Sequence, residues 1–137
     1  MVDQSQLHIL AVVAIVEKDG RVLLLKRSPK EIAFPNQYTL PGGKLERGST
    51  ILETLIREVA EETGLKVGEP ITYVCERTFV RPDNINVVSL TFRCRYVSGE
   101  VKISKDFTDY QWTSKEDLDK LEVIEDIKKD LLRYFFK

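Results

Sequence analysis

The chain has 137 residues, 42% hydrophobic and 31% charged, with a net charge of −1. That balance suits one globular domain spanning residues 1–137 with a real core, and it excludes a disordered chain. It also gives no electrostatic footprint for non-specific nucleic-acid binding, and no apolar run reaches membrane-spanning length.

Ile9 to Glu17 is apolar and β-branched, so it reads as a strand. Asp19-Gly20 separates it from Val22–Lys26, a strong type I′ hairpin signal. Pro29 and Pro35 make Ser28–Asn36 a loop. Tyr38–Leu40 is a short strand leading into a glycine turn at Pro41-Gly42-Gly43. Thr50–Thr63 is the best helix: Thr50 and Glu53 form a capping box, and Gly64 provides the αL stop. Ile51, Leu52, Leu55, Ile56 and Val59 make its apolar stripe. Ile71–Val80 and Val87–Val97 read as strands joined by a turn at Arg81-Pro82-Asp83-Asn84. Gly99 leads into Val101–Ile103, and Tyr110–Thr113 is a short strand. Ser114 with Asp117 opens a helix to about Leu121. Ile124–Phe136 is the last helix, with Leu131, Leu132, Phe135 and Phe136 as its docking face. Strands, helix, strands, helix indicate an α+β fold or a sandwiched mixed sheet.

Cys75 and Cys94 match no metal spacing and read as reduced, buried thiols. The single histidine, His8, begins a strand, which disfavours a histidine-based metal site or a Ser-His triad. The N-terminus carries Asp3 and no basic segment of the signal-peptide kind.

The densest information lies in Gly43–Leu65, GKLERGSTILETLIREVAEETGL. Glu58, Glu61 and Glu62 stand at i, i+3 and i+4, on one narrow arc of a helix. Carboxylates so placed repel each other, and a hard divalent cation reverses that repulsion. Taken alone, E-x-x-E-E is more often a solvated helix face. The context changes the reading. Gly43, Arg57, Glu58, Val59, Glu61, Glu62, Gly64 and Leu65 fall in register with the pattern G-x5-E-x7-R-E-U-x-E-E-x-G-U, where U is bulky aliphatic. In this the chain resembles the Nudix hydrolase family, of the MutT-like kind, over nearly its whole length. One position departs: Ser49 stands where the pattern has its first Glu.

The resemblance implies a Nudix-like α/β/α sandwich with a mixed central sheet. It implies hydrolysis of a nucleoside diphosphate linked to another group, with Mg²⁺ or Mn²⁺. Glu58 and Glu62 would be the principal metal ligands, Glu61 would bind a further ion or act through water, and the carbonyl of Gly42 would add a ligand. Arg57 would orient Glu58 or a neighbouring carboxylate. Asp106, six residues before Trp112, matches a later-loop acidic ligand, though it is shorter than the usual Glu. Arg27 matches a phosphate contact, and it is favoured over Lys26 because the two alternate faces of a strand. Phe34, Tyr38, Phe79 and Phe107 could stack on a base, although each alone is more often a core aromatic. Ser49 deprives Arg57 of its usual partner, for which Glu46 or Glu53 could substitute. The general base then falls to Glu58, Glu61 or Asp106.

The leading expectation is a cytoplasmic, house-cleaning nucleoside triphosphate pyrophosphohydrolase. Its partner is a small-molecule nucleotide, with no nucleic acid and no membrane; homodimers are common in the resembled family. ADP-ribose or nucleotide-sugar hydrolysis, and nucleotide sensing without cleavage, are the rival functions. Sensor domains of this kind usually lose part of the R-E-U-x-E-E core, which this chain keeps. An unrelated Ca²⁺-binding protein is disfavoured, because no EF-hand loop is present.

Overall fold

The computed structural model describes residues 1–137. Seven strands form one mixed sheet: β1 Ile9–Lys18, β2 Arg21–Arg27, β3 Tyr38–Thr39, β4 Gly42–Lys44, β5 Lys66–Val80, β6 Asn86–Ser98 and β7 Phe107–Thr113. The main path runs β3-β2-β1-β6-β5, with β4 on β1 and β7 on β2. Strands β1 and β6 pair in parallel from Ile9↔Val87 to Glu17↔Arg95, and the other pairings are antiparallel. Asp19 and Gly20 both have positive φ, at 52° and 76°, as the type I′ hairpin between β1 and β2 requires.

Helix α1, Ile51–Thr63, lies on one face of the sheet. Thr50 and Glu53 close the capping box from both sides, and Gly64 ends the helix at φ 75°. Leu55 and Val59 are fully buried against Val12, Ala14, Leu23 and Leu25. Leu52 and Ile56 are largely exposed, so the apolar stripe is narrower than the sequence suggests. The opposite face carries Ile15, Val22 and Leu24 under Leu118, Leu131 and Phe136 from the C-terminal segments. Two cores on two faces make the layers α/β/α.

Four elements depart from expectation. The glycine turn is itself a strand: Gly42 and Gly43 pair with Val13 and Val12 of β1. A Cβ on Gly42 would overlap the Val12 carbonyl oxygen, so this close strand contact admits only glycine. Strand β5 begins at Lys66, earlier than its apolar run indicates, and passes through a cis Glu69–Pro70 bond. The last helix divides into α2, Glu125–Asp130, and a π turn over Leu131–Phe135. The wider turn leaves Leu132 exposed while Leu131 and Phe136 are buried. Ser114 and Asp117 do exchange capping bonds, and the helix they open is a 3₁₀ turn, Glu116–Lys120.

Candidate active site

Strand β4 lies directly over α1, and this contact builds the site. A Cβ on Gly43 would overlap the Glu58 carboxyl carbon. Gly42 donates its amide to Glu62 Oε1 at 2.8 Å. Gly43 thus leaves room for the Glu58 carboxylate against its bare backbone, while Gly42 reaches Glu62 through its amide.

Each carboxylate has its own environment. Glu62 is the most buried in effect: loss of solvent, with repulsion from Glu58 and Asp106, pushes its pKa up to about 7, against the Gly42 bond and Arg27, which lower it. Burial raises Glu58 first, and the neighbouring Glu61 and Glu46 add to it while Arg57 opposes. Glu61 is exposed. No three Asp, Glu, His or Cys side chains gather around a single point. Like charges spread apart, with Glu62 drawn to the Gly42 amide and Glu61 towards Arg57.

Arg57 stands between them. Its Nη1 donates to Ser49 Oγ at 3.2 Å, its Nη2 lies 3.7 Å from Glu58 Oε1, and its Nε lies 3.8 Å from Glu61 Oε1. Nη2 is buried with no hydrogen-bond partner. Serine at position 49 is too short to meet both arms of the guanidinium. Glu53, a suggested substitute, is committed to the capping box, and Glu46 makes no ion pair with Arg57. Glu58 and Glu61 fill that role at longer range.

Beyond the carboxylates opens a cleft of 960 Å³. Arg27 and Asp106 line it, and both act electrostatically on Glu62. Lys26, across a bulge from Arg27, instead sits 6.0 Å from the centre of the Tyr38 ring. Arg27 also holds the loop between β2 and β3: its Nε donates to the Ala33 carbonyl at 2.9 Å and its Nη2 pairs with Glu31 at 3.3 Å. Asp106 is exposed and accepts, through its backbone carbonyl, from Ser28 N–H at 3.0 Å. This joins the two loops that frame the cleft. The Ser104 amide donates to the Glu62 carbonyl at 3.0 Å, fixing the second loop to the end of α1.

The aromatic candidates do not converge there. Tyr38 is buried in the core on the face opposite α1, with its hydroxyl bonded to Asp109. Burial and that bond raise its pKa to about 12. Phe107 belongs to the α1-side core, and Phe79 is exposed on β5. Phe34 is exposed on the β2–β3 loop with φ 50°. Sequence reading missed the lysines that border the cleft, Lys30, Lys44 and Lys105. Single lysines, two on loops and Lys44 at the end of β4, carry no signal until the fold brings them together.

A family model described as NUDIX domain matches residues 7–135. The nucleoside triphosphatase NudI of Escherichia coli O17:K52:H18 is 37% identical, over 76% of this chain and 80% of its own. The crystal structure of a MutT protein from Methanosarcina mazei Go1 superposes with a TM-score of 0.76 at 28% identity, covering 92% of this chain and 91% of that one. A MutT NUDIX hydrolase from Burkholderia pseudomallei has the same fold, with a TM-score of 0.79 at 24% identity and coverage of 92% and 97%. The match from end to end of the folded core, carried by a helix whose carboxylates lie beneath paired glycines, places this chain in the NUDIX domain family, as a Nudix hydrolase acting on phosphorus-containing acid anhydrides.

Proposed function

We propose that the protein is a divalent-metal-dependent pyrophosphohydrolase of nucleoside triphosphates, of the house-cleaning type. The observation that carries this reading is the junction of two charge environments. A carboxylate cluster on a rigid helix meets a cleft with more cationic than acidic side chains, and Arg27 and Asp106 of that cleft lie close enough to act on the charge of Glu62. The relative NudI, 37% identical, is a nucleoside triphosphatase, which supports the same substrate class.

The donor set fits Mg²⁺ or Mn²⁺. It consists of carboxylate and carbonyl oxygens, with no thiolate or imidazole among them, and hard cations take such ligands. The glycine cradle over Glu58, together with the burial and then the repulsion from Glu58 and Asp106 that raise Glu62, marks charge that a cation would compensate. Glu58 and Glu62 would be the principal ligands, with the Gly42 carbonyl and Asp106 completing the sphere and Glu61 left outside it. Bound there, the cation would neutralise phosphate charge and acidify water.

The chain's own residues do the rest. Arg57 keeps Glu58 and Glu61 facing the site, and their rigid helix limits the cost of alignment. Arg27 binds phosphate oxygen and holds the cleft loop in place. Water attacks phosphorus, the bridging P–O bond breaks, and pyrophosphate leaves from a nucleoside monophosphate. Glu61, the exposed carboxylate, accepts the proton of the attacking water.

The test is product analysis across deoxynucleoside triphosphates, oxidised dGTP, ADP-ribose, nucleotide sugars and dinucleoside polyphosphates, with and without Mg²⁺ or Mn²⁺. Metal-dependent pyrophosphate release from triphosphates is expected. Turnover of ADP-ribose or sugar nucleotides alone would overturn the substrate assignment. Tight nucleotide binding without any turnover would favour a sensor.

A further inference from the structure

The cleft beside the carboxylates carries its charge unevenly. Of its acidic residues, Glu31 is paired with Arg27 and Asp83 with Arg81. That leaves Asp106 against Lys30, Lys44 and Lys105, none of which forms an ion pair. The cleft is therefore cationic in a chain whose net charge is −1. Five of its twelve lining residues, Arg27, Lys30, Lys44, Arg81 and Lys105, are cationic.

Lys30 and Lys105 reach this cleft from different loops. Lys30 lies on the β2–β3 loop that Arg27 holds through Ala33 and Glu31. Lys105 precedes Asp106 on the segment that enters β7. The Ser28–Asp106 backbone bond ties the two loops together, which fixes their relative position. Both lysines are exposed. An ammonium is a compact point charge on a flexible stem. It suits an anion whose oxygens can present in several orientations, as a terminal phosphate does, rather than a planar carboxylate or base edge.

We propose that Lys30 and Lys105 together hold the terminal phosphate of the nucleotide and so make the enzyme select triphosphates over diphosphates. The inference rests on the reading of the protein as a nucleoside triphosphate hydrolase and assigns that selectivity to two residues. They are binding residues: they act on the affinity for the phosphate chain, and the bond-breaking groups on α1 are separate from them.

The experiment uses Lys30→Gln, Lys105→Gln and the double variant, with thermal unfolding as the check on fold. KM and kcat are measured for a deoxynucleoside triphosphate and the matching diphosphate with Mg²⁺. Binding of inorganic tripolyphosphate is measured separately by calorimetry in EDTA, at low and high salt. Each single substitution is expected to raise KM for the triphosphate about tenfold, the loss of one charge-assisted contact. The kcat stays within about twofold, and the diphosphate KM moves little. The double variant should lose tripolyphosphate affinity and most of its salt dependence. A double variant with unchanged triphosphate KM and unchanged tripolyphosphate affinity would overturn the proposal while leaving the hydrolase reading intact. A wild type that cleaves neither nucleotide would sink the hydrolase reading, and the tripolyphosphate titration would then decide the lysine assignment alone.

Discussion

Glu62→Gln separates the cost of the site from its use. Glu62 accepts the Gly42 amide in a setting that lifts its pKa from 4.5 to about 7, chiefly by burial. The folded chain therefore binds a proton more tightly than the unfolded chain. Stability from this group is complete below pH 4.5 and is lost as pH rises towards 7. At 1.36 kcal/mol for each pKa unit, holding Glu62 ionised at pH 8 costs the fold about 3 kcal/mol. Glutamine keeps the volume and the acceptor for Gly42 but carries no charge. In EDTA at pH 8, the variant should thus be more stable than the wild type by about 3 kcal/mol, or about 10 °C in Tm. At pH 4.5 the two should agree within about 1 kcal/mol. Urea unfolding at both pH values reads the difference directly. Saturating Mn²⁺ should reverse the order, because a ligand stabilises only the form that binds it. Equal or lower stability of the variant at pH 8 in EDTA would refute the claim that Glu62 is a strained carboxylate awaiting a cation.

Other substitutions probe the neighbours. Gly43→Ala pushes a methyl group against the movable end of the Glu58 side chain, so it should cost less than about 1 kcal/mol in stability but most of the turnover; a fully active variant would show that the position of the Glu58 carboxylate does not matter. Arg57→Lys retains the charge but not the three-way reach, and kcat should fall about 10–100-fold with the fold intact; an unchanged kcat would remove Arg57 from the site. Ser49→Glu offers the unpartnered Arg57 Nη2 an acceptor, so activity should hold or rise. A large loss in steady-state rate would give Ser49 a role of its own. Leu55→Ala empties a fully buried position between α1 and the sheet and should cost about 2–5 kcal/mol by chemical denaturation; a smaller loss would mean the helix is not held by this core.

The helix that carries the site was legible because every signal lies within one short run. The capping box, the αL glycine and the arc of carboxylates are local features, and the structure shows each of them. The Asp-Gly hairpin was legible for the same reason. What the sequence obscured depends on long-range packing. Gly42-Gly43 read as a turn because glycine weakens strands, yet its bare backbone is what lets β4 lie between Val12 and Glu58. Tyr38 read as a base-stacking aromatic, but its ring belongs to the core on the far face. Leu52 and Ile56 matched a helical stripe whose outer edge no partner covers. Of the cleft, the sequence offered Arg27 and Asp106 but not Lys30 and Lys105, which are far apart in sequence and border it only through the two loops joined at Ser28 and Asp106.

Mn²⁺ binding to the wild type, to Glu58→Gln and to Glu62→Gln, followed by titration calorimetry beside pyrophosphate release from a deoxynucleoside triphosphate, tests the central claim most directly. The account predicts that the wild type binds Mn²⁺ and releases pyrophosphate. Each substitution should weaken binding by at least about tenfold and lower turnover in parallel. Hydrolysis that persists at the wild-type rate in Glu62→Gln, or Mn²⁺ binding indifferent to both substitutions, would contradict it.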